Sequence, residues 1–203
     1  MSEIFEKILD AFKGQELELT VSSGTSDQII KSVAEGMADV GIVIEEALSN
    51  YPNRAIDYNA RKGGFCQDSM FFMRKNHRLN DGTPVNAEAL QAEKFAWFDS
   101  RLSPELHETI QASLRSAGGP SAFRIHYEVT DLETLHCTLT CREAITIMPA
   151  VFARYGLPGI VGVASKLPLK LPKWKYSVIR HRSACVERAE SVFEATCTLC
   201  RSL

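Results

Sequence analysis

The 203-residue sequence contains no apolar run near the roughly 20 residues that a bilayer span needs, and its start, Met1-Ser2-Glu3-Ile4-Phe5-Glu6-Lys7, shows no basic segment followed by an apolar one. We therefore expect a cytoplasmic chain without a membrane partner. No G-x-S-x-G elbow, Walker loop, G-x-G-x-x-G fingerprint or H-E-x-x-H pair occurs, and the histidines at 77, 107, 126, 136 and 181 are scattered. The expectation is a protein with no catalytic residue, no metal and no cofactor. Cysteines stand at 66, 137, 141, 185, 197 and 200, but the length and the lack of a leader argue against a secreted disulfide framework. Cys197-x-x-Cys200 has no second pair to complete a zinc site. Cys137 and Cys141 share a helix face at i, i+4 and leave only a weak metal or redox option.

What is present is the composition of an ordinary globular protein: 45% hydrophobic, 24% charged and 8% aromatic residues. The net charge of −2 hides an asymmetry. Residues 1–60 hold 11 acids against 4 bases, 61–141 hold 10 against 9, and 142–203 hold 4 against 10. The basic end is interleaved with apolar residues in KLPLKLPKWKY and carries no nucleic-acid motif, so a solvated face is the expected reading.

Ile4, Phe5, Ile8, Leu9 and Phe12 fall at helical spacing over residues 3–13, and Leu17, Leu19 and Val21 alternate as in a half-buried strand. Ser22-Ser23-Gly24-Thr25-Ser26 then supplies a turn and helix caps, followed by a helix through Ile29, Ile30 and Val33 up to Gly36. The apolar run from Asp39 to Ile44 suits a strand covered on both faces in a parallel sheet. After a less regular stretch come strand 69–74, a short helical piece at 85–90 and a second alternating series. That series has a strand at 95–98, a helix over 103–117, a strand at 123–129, a helix from 131 to about 140, a strand at 144–148 and a short helix after Pro149. It finishes with a strand at 174–180, and an amphipathic helix over 183–201 closes the chain.

Two such runs predict an α/β protein of two Rossmann-like lobes with a ligand cleft where the carboxyl ends of the strands face each other.

Several segments carry a resemblance in fixed order. These are Phe5 to Phe12; Leu17-Glu18-Leu19; Ser26-x-x-Ile29-x-x-x-Val33-x-x-Gly36-x-x-Asp39-x-Gly41-Ile42; Phe71 to Leu79; Glu128 to Leu135; Ile145 to Pro149; and Tyr176 to Arg180 with the closing helix. In that order the chain resembles the effector-binding (regulatory) domain of LysR-type transcriptional regulators, with a periplasmic-binding-protein-like fold of type II. Arg78 stands where the family's "H-P-L" has proline, and Cys141-Arg142-Glu143 where a "G-x-G" segment is usual. The strand that opens the family's domain and its helix-turn-helix part are not found in these residues.

The resemblance implies a regulatory lobe I over 1–60 plus 180–203 and a lobe II over 61–179, with no DNA-binding domain in this chain. It implies a small anionic effector between the lobes, a homodimer, and DNA contact only through a helix-turn-helix domain. The effector would be held by hydroxyls and by backbone N–H groups at helix N-termini, which favour anions. In lobe I that place falls on Ser23, Gly24, Thr25 and Ser26, with Ser2 nearby and Ile44 and Glu45 past the strand end. In lobe II it falls on Asp99, Ser100, Arg101, Thr130 and Thr146, with Met148 more suited to the core. One hydroxyl of the first group has the alternative role of an N-cap, as does Thr130-Asp131 with Glu133 or Thr134 in the first turn, and Asp99 has the choice of capping a helix or repelling an anion with which Arg101 would pair. A stand-alone solute-binding protein, a degenerate interaction domain and an enzyme on the same fold are the alternatives.

Overall fold

Residues 9–10, 12–13, 20–51, 56–58, 65–102, 104–116, 124–155, 157–165, 171–182 and 187–201 are described by a computed structural model. The chain divides into two compact units, Met1–Cys66 with Lys175–Leu203, and Gln67–Trp174.

The first unit begins, among the described elements, with helix α1, Ser26–Ala34. Ile30 and Val33 point inward at helical spacing and are wholly buried. Strand β1, Val40–Ile44, follows, and a 3-10 turn over Glu45–Asn50 continues from it. A Cβ on Gly41 would stand 2.6 Å from Ile29 Cγ2, so glycine is what lets α1 lie this close to β1. Strands β2, Ile56–Tyr58, and β3, Phe65–Gln67, both pair with β9, Trp174–His181, which also pairs with β1. Register runs antiparallel from Val40 opposite Arg180 to Ile44 opposite Tyr176.

This sheet corrects two expectations. The strand at 40–44 is antiparallel to its neighbour, and the strand at 174–181 belongs to the first unit's sheet instead of finishing the second series. Apolar runs report burial, whereas strand direction and partner depend on where the chain returns.

One face of this sheet packs Val43, Ala47, Ile56 and Ile179 with Ile30 and Val33. The other packs Val178 and Phe65 with Phe12 and with Phe193 and Cys197 of helix α5, Glu187–Arg201. Each Val, Ile or Phe among them contributes roughly 1.5–3 kcal/mol on burial. The expected helix over 3–13 is described only at four positions, and the expected strand at 17–21 lies largely outside the described residues.

The second unit holds a five-stranded sheet in the order β6-β5-β7-β4-β8. These are β4, Ser69–Arg74; β5, Lys94–Phe98; β6, Ile125–Val129; β7, Ala144–Pro149; and β8, Ile160–Val163. Strand β5 is parallel to β6 and β7, while β4 is antiparallel to β7 and β8. Helices α2, Pro104–Ser116, α3, Leu132–Cys141, and α4, Phe152–Tyr155, connect the strands. Leu135 and Leu139 of α3 pack with Phe72, Ala96, Val129, Ala144 and Met148 on one face. Leu106, Ile110 and Leu114, four residues apart along α2, are buried in turn. Strands β2, β3 and β8 were not anticipated, being only three or four residues long. The helical piece at 85–90 becomes a 3-10 turn over Ala89–Ala92, while Val85 bridges to Ser165 as a strand residue does.

Both departures from the family pattern have local partners. Arg78 reaches the buried carboxylate of Glu93, which also lies 3.3 Å from His77 Nε2. His77 Nδ1 accepts from Leu79 N–H at 3.2 Å, so the imidazole proton sits on Nε2, facing Glu93. Glu143 adopts φ +54° just past α3, and its carboxylate pairs with Arg74 of β4.

Candidate functional site

In the first unit the candidate residues surround the start of α1. Thr25 is its N-cap: Thr25 Oγ1 accepts from Gln28 N–H at 3.3 Å, and Gln28 Oε1 accepts from Thr25 N–H at 2.9 Å. This reciprocal box uses both groups for the fold. Gly24 packs against Gln28, whose Oε1 would be 2.9 Å from any added Cβ, and Ser23 is exposed beside it. Ser26 Oγ accepts from Ile44 N–H at 3.1 Å, tying the first turn of α1 to the carboxyl end of β1. As an acceptor in that bond, the Ser26 hydroxyl keeps its own proton to donate. Asp27 places a carboxylate in the first turn, which offsets part of the helix-terminal positive field. Ser2 lies outside the described residues.

In the second unit the ends of β5 and β6 are joined by Asp99 N–H donating to Val129 O at 2.9 Å, which brings Asp99, Ser100, Arg101 and Thr130 together. Asp99 and Arg101 are each other's partners. Arg101 Nε donates to both carboxylate oxygens, at 2.9 and 3.0 Å, and Arg101 N–H donates to Oδ1 at 2.9 Å. The side-chain hydrogen bonds from Arg101, and then its backbone N–H, hold the Asp99 carboxyl down at about 2. Asp99 thus accepts a backbone N–H at the start of the 3-10 turn over Ser100–Leu102 and pairs with the exposed Arg101 side chain.

Of Thr130-Asp131, Asp131 is the residue that caps α3, accepting from Thr134 N–H at 2.7 Å, and Thr130 Oγ1 donates to Asp131 Oδ2 at 3.0 Å. Those donors lower the Asp131 carboxyl, led by the Thr134 backbone. Thr146 is not at this end of the sheet. It is wholly buried within β7 opposite Phe72, and its hydroxyl has no hydrogen-bond partner. Met148 belongs to the core.

Sequence reasoning singled out Ile44 and Glu45 but passed over Glu46, Tyr176 and Ser177. Glu46 Oε2 is buried without a hydrogen-bond partner, and burial pushes its carboxyl up. Tyr176, opposite Ile44 and stacked on Phe65 at 4.7 Å, is raised by burial and next by the Glu46 charge. Two adjacent glutamates after an apolar run carry no pattern that marks which of them has a carboxylate oxygen out of solvent.

Among the described residues no group of three metal-ligating side chains converges. Cys137 and Cys141 are exposed on α3, whereas Cys197 lies in the core. His136 and His126 are both hydrogen-bonded, to Pro158 O at 2.8 Å and to Phe95 N–H at 3.3 Å. No helix among the described residues is long and apolar enough to cross a membrane.

The fold is thus an α/β architecture of two units, each a sheet flanked by helices, as in periplasmic-binding-protein-like domains. Residues 2–197 match the LysR substrate binding domain, and the chain belongs to that family. The family is the effector-binding domain of transcriptional regulators and not an enzyme family. No curated protein sequence matches the chain.

Similar solved structures include full-length CbnR complexed with its target DNA, with a TM-score of 0.75 at 15% identity over 98% of this chain and 66% of that one. The effector binding domain of QuiR in complex with shikimate gives 0.70 at 13% identity over 97% and 87%. The Corynebacterium glutamicum OxyR C206 mutant gives 0.71 at 13% identity over 99% and 60%. At such identities the likeness is one of fold. The chain spans 60% of that OxyR and 64% of a second CbnR structure, so under two thirds of each.

Proposed function

We propose that this chain is the ligand-sensing part of a LysR-type regulator, taking up a small-molecule effector on the loops that follow β1 in the first unit and β5 and β6 in the second. The family match over residues 2–197 carries this reading. The hydroxyl of Ser26 at the start of α1, with a proton still to donate, gives it a local basis.

The effector acts by binding one arrangement of a regulatory-domain homodimer more tightly than another, and that difference biases a DNA-bound oligomer through a helix-turn-helix domain. The setting is cytoplasmic. A thermal-shift screen of the purified chain against small carboxylates, aromatic acids, amino acids and sugar phosphates tests the reading. A ligand at 100 times its dissociation constant adds about 2.7 kcal/mol of apparent stability. The expected hit weakens in both Ser26→Ala and Ser100→Ala, while a well-folded protein with no hit overturns the proposal. Thr25→Ala is unsuitable here because it also removes the helix cap.

A further inference from the structure

Helix α3 carries two thiols that neither the core nor the candidate effector loops use. Cys137 and Cys141 are free and exposed, four residues apart, whereas Leu135 and Leu139 carry the packed side of the helix. The helix is hydrogen-bonded past both cysteines, since Arg142 N–H donates to Thr138 O at 3.0 Å. Helical geometry therefore decides what the pair can do. Residues four apart stand with Cβ atoms about 5–6 Å from one another. A disulfide needs Cβ atoms at about 3.5–4.5 Å, so the intact helix holds the two thiols too far apart for one. An ion between two sulfurs asks for more room. With sulfur–metal bonds of about 2.3 Å the sulfurs stand roughly 4.6 Å apart on opposite sides of it, a separation that side chains from such Cβ positions reach.

The Cys141 sulfur already leans toward its neighbour. Thr140 Oγ1 lies 3.0 Å from both His136 O and Cys137 O, and 3.7 Å from Cys141 Sγ. The hydroxyl proton serves those carbonyls, so the Cys141 S–H is the donor in the third contact, and its sulfur lies back over the turn that Cys137 occupies. Among the described residues no third His, Cys, Asp or Glu joins the pair. His136, next to Cys137, turns its Nε2 to Pro158 O at 2.8 Å. Zinc sites use at least about three protein ligands and calcium sites a larger set of oxygens, so neither ion fits. Two soft sulfurs alone suit copper(I), which a pair of thiolates satisfies.

We infer that Cys137 and Cys141 form a site for one soft monovalent ion of the copper(I) kind, at the opposite end of α3 from its Asp131 cap. Binding forms two sulfur–copper bonds and releases two thiol protons to solvent, with no change of oxidation state. The site is independent of the effector reading above and stands or falls by itself.

The test is an anaerobic competition on the reduced full chain, in which the coloured copper(I)–bicinchoninate complex gives up copper to the protein. The wild type should withdraw copper, and Cys137→Ser and Cys141→Ser should each weaken that withdrawal by more than about a hundredfold, beyond the roughly 10–100-fold that supporting partners of a metal site contribute. Both side chains are exposed, so far-UV circular dichroism and the melting temperature without copper should stay at wild-type values. Cys66→Ser and Cys200→Ser, which change thiols elsewhere in the chain, should withdraw copper as the wild type does. The inference falls if the wild type takes no copper, if Cys137→Ser/Cys141→Ser takes as much as the wild type, or if Cys66→Ser or Cys200→Ser abolishes the uptake. Zinc(II) offered on a zinc indicator should stay with the indicator. Its capture by the wild type but not by Cys137→Ser/Cys141→Ser would reveal a fuller ligand set and overturn the assignment to a two-sulfur ion.

Discussion

At the scale of single residues, two side chains answer to forces that no pattern in the sequence displays. Glu143 occupies a left-handed conformation, φ +54°, in the place past a helix end that glycine usually fills, and it keeps that place with Arg74 as partner. Glu143→Ala loses the ion pair and keeps the strain, whereas Glu143→Gly loses the pair and relieves the strain. We expect the glycine variant to be more stable than the alanine variant by about 1 kcal/mol in urea denaturation. Asp99 is the second. Its folded carboxyl sits at about 2, held first by the Arg101 side chain, while an unfolded one titrates near 4. On acidification the unfolded chain therefore binds the proton first, and the stability the anion contributes is complete above pH ~4 and is lost as pH falls through about 2. Asp99→Asn should flatten that part of the stability profile and leave the slope above pH ~5 unchanged, as pH-dependent chemical denaturation would show.

At the scale of elements, the first unit depends on how α1 meets β1. The Thr25 box sets where the helix starts, and Thr25→Ala should cost about 1 kcal/mol, with Thr25→Ser recovering most of it. Gly41 sets how closely the helix lies on the strand. Gly41→Ala drives a methyl onto Ile29 and should cost about 1–3 kcal/mol. Shortening the partner in Gly41→Ala/Ile29→Ala should give a loss smaller than the sum of the single losses, a coupling that a double-mutant cycle reads from unfolding curves.

The elements themselves were largely legible. Strand 69–74 was expected at its observed limits, and the helix at 104–116 and the strand at 144–149 within a residue or so, because each combines a strong period with clear stops. Of the candidate site, the helix start at Thr25 and Ser26 and the loop at 99–101 were legible as polar residues following strands. Their partners were not: Ser26 with Ile44 spans 18 residues, and the pairing of Asp99 with Arg101 was not among the roles expected of those two charges.

For the whole molecule, the family match and the structural likeness converge on a regulator's binding domain, although identities of 15% or less to solved structures convey architecture and not ligand. The homodimer belongs to the proposal, and sedimentation equilibrium of the chain should find dimer mass with concentration-dependent dissociation, whereas a monomer at all concentrations would count against that part of it.

The sequence by itself determined the class of the protein, α/β with two series of strands and helices, because hydrophobic period and capping residues act within a few residues of each other. Only the tertiary structure decided that β9 leaves the second series to pair with β1, that Thr146 lies in the core and that one oxygen of the half-buried Glu46 carboxylate is without a partner. Each of these depends on what a distant part of the chain places alongside: a strand edge, a packed face or a missing donor acquires its meaning only when segments remote in sequence meet.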